Sequence, residues 1–434
     1  MIDVLTAFSR IVIILFVAIF TFIDLFLIFE RRLGQALGDA LIIIQRIVIF
    51  LFLGLCTYIC WLNLNNPWPI YIFLLAILSF VLIILSLKNV GSSLSAGLVN
   101  NVLFFLAMSF VELERLNMDS ALRQAIFCLV AILISFGIII LLKRIYQIER
   151  FYYIFFIIGI FLLSLVYFLG SREYGAKLSL SFGNISIQPS EFVKISFCFF
   201  VCSCIAIFKN IKGLILATIG SVFHILILVM CKDLGTALIY ALCYMFISFI
   251  AYKNYLLLLV EIGVGIFAGY FAYNNFPHIQ RRFLAYTDPL SVAEDQGYQL
   301  SQSLFAIGSG SFFGQGLFKG QPKKIPVVTK DFIFASIAEE MGGIVAICLI
   351  IVFICSFILI FNLAYRCHNS FYMLVTCCIA IIFAIQTLLN IGGVIKFIPS
   401  TGVTLPFISY GGSSLLSMFI CFYIAENGEV LNEN

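Results

Sequence analysis

Apolar residues fill this chain in long unbroken blocks, and short polar breaks separate them. A membrane-crossing helix needs about 20 consecutive apolar residues. Thirteen stretches approach that measure: 11–29, 41–62, 70–87, 98–111, 126–142, 151–169, 192–208, 214–230, 234–252, 256–273, 332–363, 371–391 and 402–424. The fourth is short, and the eighth and ninth nearly touch. The blocks lack the apolar–polar alternation of barrel strands, so all are predicted to be helices. The expected fold is an all-α polytopic membrane protein. The first block, IVIILFVAIFTFIDLFLIF, is long for a signal-peptide core and no small-residue cleavage site follows it, which predicts a retained span.

Composition agrees with the pattern. The chain has 434 residues, of which 63% are hydrophobic and 11% charged. Soluble domains are about 45–50% apolar. The net charge of +4 matters less than where the cations lie. Lys and Arg gather in alternate short loops: ERRLG, LKNVG, LKRIYQIER, FKNIKG, AYKNY and AYRCHNS. Cytoplasmic loops collect such residues, which predicts an outer N-terminus, a cytoplasmic C-terminus and an outer loop at 274–331. Most of the fourteen cysteines fall inside apolar runs, such as Cys56 and Cys60 or Cys377 and Cys378. They read as small hydrophobes rather than as a disulfide framework or metal site. No basic patch points to nucleic acid.

The long outer loop concentrates the scarce acids. Its stretch TDPLSVAEDQGYQLSQS carries Asp288, Glu294 and Asp295. Loops this long are usually functional or disordered. Dense aromatics argue for a loop that docks on the bundle, with an amphipathic segment at 299–307. Three more outer features accompany it: REYGAKLSLSFGNISIQPSEFVK, CKDLGTA and IGGVIKFIPSTGVTLPFISYGGSS. Together with that loop they supply Arg172, Lys177, Glu191, Lys194, Lys232, Asp233, Arg281, Arg282 and Lys396. Glu191 and Lys194 stand three apart at a helix start and can pair along one face. They read either as a local structural pair or as the floor of an outward cavity. Asp233 suits a helix N-cap. Glu339 and Glu340 open the run that begins near Asp331. Basic groups can hold a phosphate-bearing ligand, and a carboxylate can take a proton from a hydroxyl. Group transfer with an anionic leaving group needs both functions, but composition does not separate such an enzyme from a transporter.

The motifs QPSEFVK, DLGTA, GYQLSQSLFAIGSGSFFGQGL, KDFIFASIAEEMGG and FIPSTGVTLPFISYGGSSLL occur in that order. In them the chain resembles the SEDS (shape, elongation, division and sporulation) family of FtsW, RodA and SpoVE. The resemblance implies a ten-helix core at 93–434 and a three-helix addition at 1–92. It implies a peptidoglycan glycosyltransferase of the bacterial cytoplasmic (inner) membrane, serving cell-wall synthesis in division or elongation. Such enzymes polymerise lipid II, an undecaprenyl-diphosphate-linked disaccharide pentapeptide. An acceptor 4-hydroxyl attacks the anomeric carbon of the growing chain, and the lipid diphosphate leaves. A class B penicillin-binding protein is the implied partner.

In the family a loop aspartate is the expected base, five residues before the Gly of GYQ. Here that count from Gly297 lands on Val292. The catalytic candidates are therefore Asp295, then Asp288, then Glu294. A plainer reading of Asp288 is a turn before Pro289. Arg172, Lys177, Glu191, Lys194, Asp233 and Lys396 are the substrate-binding candidates by position, with Arg172 and Lys177 directed at diphosphate. Lys396 reads equally as a snorkelling side chain, and Gly411 to Ser414 as a close helix approach. No cofactor is implied with certainty. A divalent cation bridging diphosphate and carboxylate is compatible, although no ligand cluster demands one. A lipid II flippase or a non-catalytic scaffold for the partner remains the alternative. A flippase often carries internal repeats, which are not evident here.

Overall fold

The computed structural model describes residues 2–29, 34–90, 95–173, 176–182, 185–292 and 297–432. Its helices run α1 (Ile2–Leu27), α2 (Gln35–Leu64), α3 (Trp68–Val90), α4 (Ala96–Leu116), α5 (Met118–Leu142), α6 (Tyr152–Leu169), α7 (Pro189–Phe208) and α8 (Ile211–Met230). Then follow α9 (Leu234–Tyr252), α10 (Tyr255–Asn275), α11 (Pro277–Thr287), α12 (Tyr298–Gly310), α13 (Ile333–Glu340), α14 (Gly343–Ala364), α15 (Ser370–Val394) and α16 (Gly412–Asn427). Among the described residues, twelve helices are long and apolar enough to cross a membrane. The thirteenth expected span is α16, which at 16 residues is shorter than a full crossing. The irregular segment 395–411 leads into it.

Two features depart from the expected all-helical pattern. Residues 171–187 form three short antiparallel strands, β1 (Ser171–Glu173), β2 (Ala176–Phe182) and β3 (Ile185–Ile187), in the order β1-β2-β3. The alternation in AKLSLSF is a strand signal, inside a segment expected to be a loop. The run at 332–363 is also not one helix. It breaks between α13 and α14 at Gly342, whose φ is +97°.

Polar turns set the ends of several helices. Lys209 and Lys253 adopt left-handed φ values of 46° and 50° and end α7 and α9. The next residue in each case, Asn210 or Asn254, turns its side-chain oxygen onto two backbone N–H groups of the following helix. A Lys–Asn pair thus reverses the chain in two residues, because Asn satisfies donors that a helix start leaves open.

Helices α4 and α15 form the centre, since nearly all of each is buried, whereas α10 buries none of its residues. The first three helices cover α4 and its neighbours: α1 lies against α14, α2 against α4 and α3 against α5. Polar bonds cross this contact. Arg46 donates to Asn100, and Asn100 donates to Gln45. The Ser86 and Tyr423 hydroxyls are bonded to each other.

The segment between α10 and α13 is folded. It carries α11, α12 and a 3-10 turn at Pro322–Lys324. A glycine crossing holds it against the break before α14. Gly314 has φ +74°, and a Cβ there would meet the Glu340 carbonyl oxygen at 2.3 Å. Gln315 and Gly316 donate to the Glu339 and Glu340 carbonyls, and Arg10 of α1 donates to that of Gly314 at 3.0 Å. The Glu side chains complete the clamp. Arg115 of α4 pairs with Glu340 at 2.9 Å and also bonds the Gly320 carbonyl. Glu339 accepts from the Gln321 N–H at 2.8 Å.

Two stability predictions follow from these local geometries. Asn210→Ala and Asn254→Ala should each cost about 1 kcal/mol, read as a lower midpoint of thermal unfolding in detergent; unchanged midpoints would mean the caps are dispensable. Gly314→Ala should cost more, because the left-handed backbone alone costs about 1–2 kcal/mol and the Glu340 backbone must also move. Gly308→Ala is the control, since its Cβ meets nothing within 4 Å.

Candidate active site

The strands, the start of α7, the start of α9, α11, and the segments 326–332 and 395–411 meet at one end of the bundle, the loop end. Pro189 begins α7 and places Glu191 in its first turn. The Glu191 carboxylate and Lys194 ammonium are 2.6 Å apart and both are buried. Lys194 also donates to Gln386 of α15 at 2.8 Å, and Ser417 of α16 donates to Glu191 at 3.0 Å. Gln386 then donates to the Thr404 carbonyl, and the Thr404 and Ser414 hydroxyls are bonded. A pair spaced for one face of α7 therefore ties three helices and the 395–411 segment together.

Asp233 caps α9, accepting from the Thr236 N–H at 3.2 Å. Its other oxygen accepts from Ser190 at 3.0 Å, and Tyr240 donates to the Ser190 carbonyl. Asp233 is thus a cap and also a direct neighbour of the Glu191 turn. Burial pushes its carboxyl above the usual aspartate range, against the hydrogen bonds from Thr236 and Ser190.

Arg282 of α11 points into the same end and donates to the Ser400 carbonyl at 3.2 Å. Burial lowers its guanidinium from the usual arginine value, while the charges of Asp331 and Asp233 act the other way. Asp331 is in turn raised by burial, against Lys330 and Arg282. Gly402, with φ +73°, separates these groups. A Cβ there would lie 3.6 Å from an Asp331 carboxylate oxygen and 4.0 Å from an Arg282 nitrogen. A side chain would fit at those distances, so it is the left-handed backbone that calls for glycine here. Asn390 of α15 fixes the surrounding backbone by donating to the Asp331 and Val403 carbonyls.

The other sequence candidates fall around this centre. Arg172 stands opposite Lys177 in the β1–β2 register, and its side chain is outside the described residues. Lys177 donates to the Tyr167 carbonyl at 2.6 Å and lies over the Tyr167 ring. Its ammonium is thus held at the end of α6. Lys396 donates to the Thr287 carbonyl at 3.4 Å, next to Asp288. Asp288 is exposed and accepts from the Ser291 N–H at 3.3 Å, the turn geometry its Pro predicts. Glu294 and Asp295 lie outside the described residues. Gly412 makes a close helix approach, with its Cβ position 3.0 Å from the Phe127 ring.

Sequence reasoning passed over Asp331, Gln386 and Asn390 as site residues, and it placed Arg282 on the outer side without a role. Gln386 and Asn390 carried a signal, since two polar residues four apart inside an apolar span must face a partner. For a metal, the ligand-type atoms close enough to share an ion among the described residues are the thiols of Cys198, Cys202 and Cys378, within 4.8 Å of one another. They are buried in the bundle, and no described carboxylate of the loop end joins such a group.

Residues 95–432 match the model of the FtsW/RodA/SpoVE cell cycle protein family. The chain belongs to this family. A curated relative, the peptidoglycan glycosyltransferase RodA of Mycobacterium leprae, is 32% identical over 70% of this chain and 69% of its own. The probable peptidoglycan glycosyltransferase FtsW of Wigglesworthia glossinidia brevipalpis is 34% identical over 63% of this chain and 74% of its own. The crystal structure of the Thermus thermophilus rod shape determining protein RodA aligns with a TM-score of 0.57 over 79% of this chain and 98% of its own, at 22% identity. A chain of a peptidoglycan synthase complex, described as coordinating polymerization and crosslinking, aligns with a TM-score of 0.66 at 22% identity over 79% of this chain and 99% of its own. At that identity the structural likeness shows the shared fold. The FtsW/RodA-type core thus places Glu191, Lys194, Asp233, Arg282 and Asp331 at one end of its bundle.

The buried Asp233 carboxyl has a definite pH consequence. Burial raises its folded value above that of an ordinary aspartate, so the folded state holds the proton more tightly than the unfolded chain. Its contribution is fully present below that unfolded value and is lost as pH rises through the folded one. Asp233→Asn should keep the cap and flatten that part of the pH profile of the unfolding midpoint. A profile parallel to wild type would refute the shift.

Proposed function

We propose that this chain is a peptidoglycan glycosyltransferase that polymerises lipid II into glycan strands at the outer face of the bacterial cytoplasmic membrane, in division or elongation. Membership of the FtsW/RodA/SpoVE family, with relatives named for that activity, carries the reading. The chemistry of the loop end supports it. Transfer needs cations for the departing diphosphate and a carboxylate for the acceptor hydroxyl. Arg282 and Lys396 reach the loop end from α11 and from beyond α15. Arg172 and Lys177 rim it on the strands, and the Glu191–Lys194 pair and Asp233 form its floor. Asp331 joins this set through its approach to Arg282.

Asp295 is the first candidate for the base, Asp288 the second and Glu294 the third. The Asp288 carboxylate spends one oxygen on its own turn, which weighs toward Asp295. A divalent cation would need diphosphate oxygens to complete its shell, since the described carboxylates do not converge on a point.

Residues 1–92 are read as an addition to the catalytic core at 93–434, in keeping with a family match that begins at residue 95. Lys88, Lys143, Arg144, Lys209, Lys212, Lys253 and Arg366 lie at the turns opposite the loop end, which supports a cytoplasmic C-terminus and an outer N-terminus. A class B penicillin-binding protein is the proposed partner. The structural relative in a complex joining polymerization and crosslinking supports that pairing.

The test is glycan formation from lipid II by the purified chain with its penicillin-binding partner. Wild type should make polymer, and Asp295→Asn should lose about 100-fold or more, the scale of a removed general base. Asp288→Asn should stay within a few-fold of wild type. Loss in Asp288→Asn alone would move the base there, and polymer unaffected by either change or by Glu294→Gln would remove the loop acids from the chemistry. No polymer from folded, partner-bound wild type would overturn the enzyme reading.

A further inference from the structure

Four cysteines meet where α7, α9 and α15 pack together. Cys198 and Cys202 stand four apart and so share one face of α7. Their sulfurs and that of Cys378 on α15 lie within 4.8 Å of one another. The Cys243 sulfur of α9 is 3.0 Å from that of Cys378. All four are free thiols and all are buried. The reaction at the loop end makes no use of them.

The spacing suits a soft ion. Metal–sulfur bonds of about 2.3 Å put three sulfurs around one ion about 4 Å apart, inside the observed limit. Cys243 is too close to Cys378 to be a fourth ligand, because two sulfurs on one ion stand about 3.8 Å apart at that bond length. Its 3.0 Å contact is a hydrogen bond, which Cys243 donates when Cys378 is a thiolate. A donor behind a ligand orients it and tunes its charge. Cys198 gives its own proton to the Val375 carbonyl at 3.7 Å, which leaves its sulfur lone pairs for an ion.

Ligand type, number and charge narrow the choice. Sulfur ligands select copper(I), zinc and iron–sulfur clusters. Structural zinc takes four ligands, whereas this group has three, with no histidine or carboxylate among them. The sulfurs lie on helices long and apolar enough to cross a membrane, where a net charge is costly. One Cu⁺ displaces one proton, that of Cys378, and leaves the site neutral with Cys198 and Cys202 as thiol ligands.

We propose that Cys198, Cys202 and Cys378 bind one copper(I) ion, with Cys243 as the hydrogen-bond donor behind Cys378. The ion ties α7 to α15. The Lys194–Gln386 bond joins the same two helices, and Cys198 lies one turn of α7 beyond Lys194. The ion is a second tie between them, one turn further from the loop end.

The full chain, purified in detergent, competes anaerobically with bicinchoninate for copper, with ascorbate keeping the metal as copper(I). The unfolding midpoint and the copper X-ray absorption spectrum are recorded on the same samples. Wild type should withdraw one equivalent, show three sulfur neighbours at about 2.3 Å, and unfold at a higher temperature when loaded. Cys378→Ala and Cys202→Ala should each abolish that equivalent. Cys243→Ala should weaken it about tenfold, the scale of a lost outer partner, and Cys60→Ala should leave it unchanged. Midpoints without copper show which variants are folded, so either ligand variant alone carries the test. The proposal is overturned if wild type withdraws no copper, if a folded ligand variant binds as wild type does, or if the spectrum shows oxygen or nitrogen neighbours. It is equally overturned if zinc at the same concentration displaces the copper.

Discussion

The ion pair between Lys194 and Glu191 sets the terms for the rest of the bundle. Two opposite charges at 2.6 Å inside a membrane protein are stable only where every remaining donor and acceptor is also met. Gln386 and Ser417 meet them, and each comes from a different helix. Three helices must therefore arrive at one height and one rotation. Thr404 and Ser414 carry the same requirement into the irregular segment before α16. That segment in turn presents Ser400 to Arg282 and Gly402 to the space beside Asp331. The loop end is arranged by satisfying one buried pair, and the order of bonds runs from the interior outward.

A second constraint is steric. The segment between α10 and α13 carries most of the loop chemistry, yet it could not be ordered by apolar burial alone. Gly314 and Gly342 let two backbones cross at distances that a side chain would forbid. Arg115 and Glu340 then clamp the crossing from α4, with Glu339 on the Gln321 N–H. The paired acids of the EEMGG stretch are thus committed to holding the turn.

Much of this was legible along the chain because lipid imposes a one-dimensional requirement. Length and apolarity mark a span whatever its neighbours are, and so the helices of the bundle could be read off in order. The Glu191–Lys194 contact was legible too, since a spacing of three puts both on one helix face. The break at Gly342 was hidden inside a continuous apolar run, where hydropathy does not register a change of backbone direction. The short strands were hidden for the opposite reason, as polar composition suggested a loop while the alternation in AKLSLSF was local and brief. The approach of Arg282 to Asp331, or of Arg115 to Glu340, joins residues far apart in sequence and has no local signature. The acids at 294 and 295 lie outside the described residues, and their candidacy rests on motif position alone.

The added helices connect the two ends of the molecule. Arg10 and Asp24 both belong to α1, fourteen residues and about 21 Å apart at 1.5 Å per residue. The first donates to Gly314 in the glycine crossing at the loop end. The second accepts from Asn101 near the start of α4, and Ser95 just before that start donates its N–H to Glu426 at the end of α16. One helix is therefore anchored at both points. If α1 slides or tilts, the crossing at Gly314 loses its Arg10 bond while the carbonyl remains buried in a site shaped for it. The cost of that orphaned carbonyl, about 1–3 kcal/mol, is what the bond contributes to seating α1 on the crossing, and it is too small on its own to unfold the core.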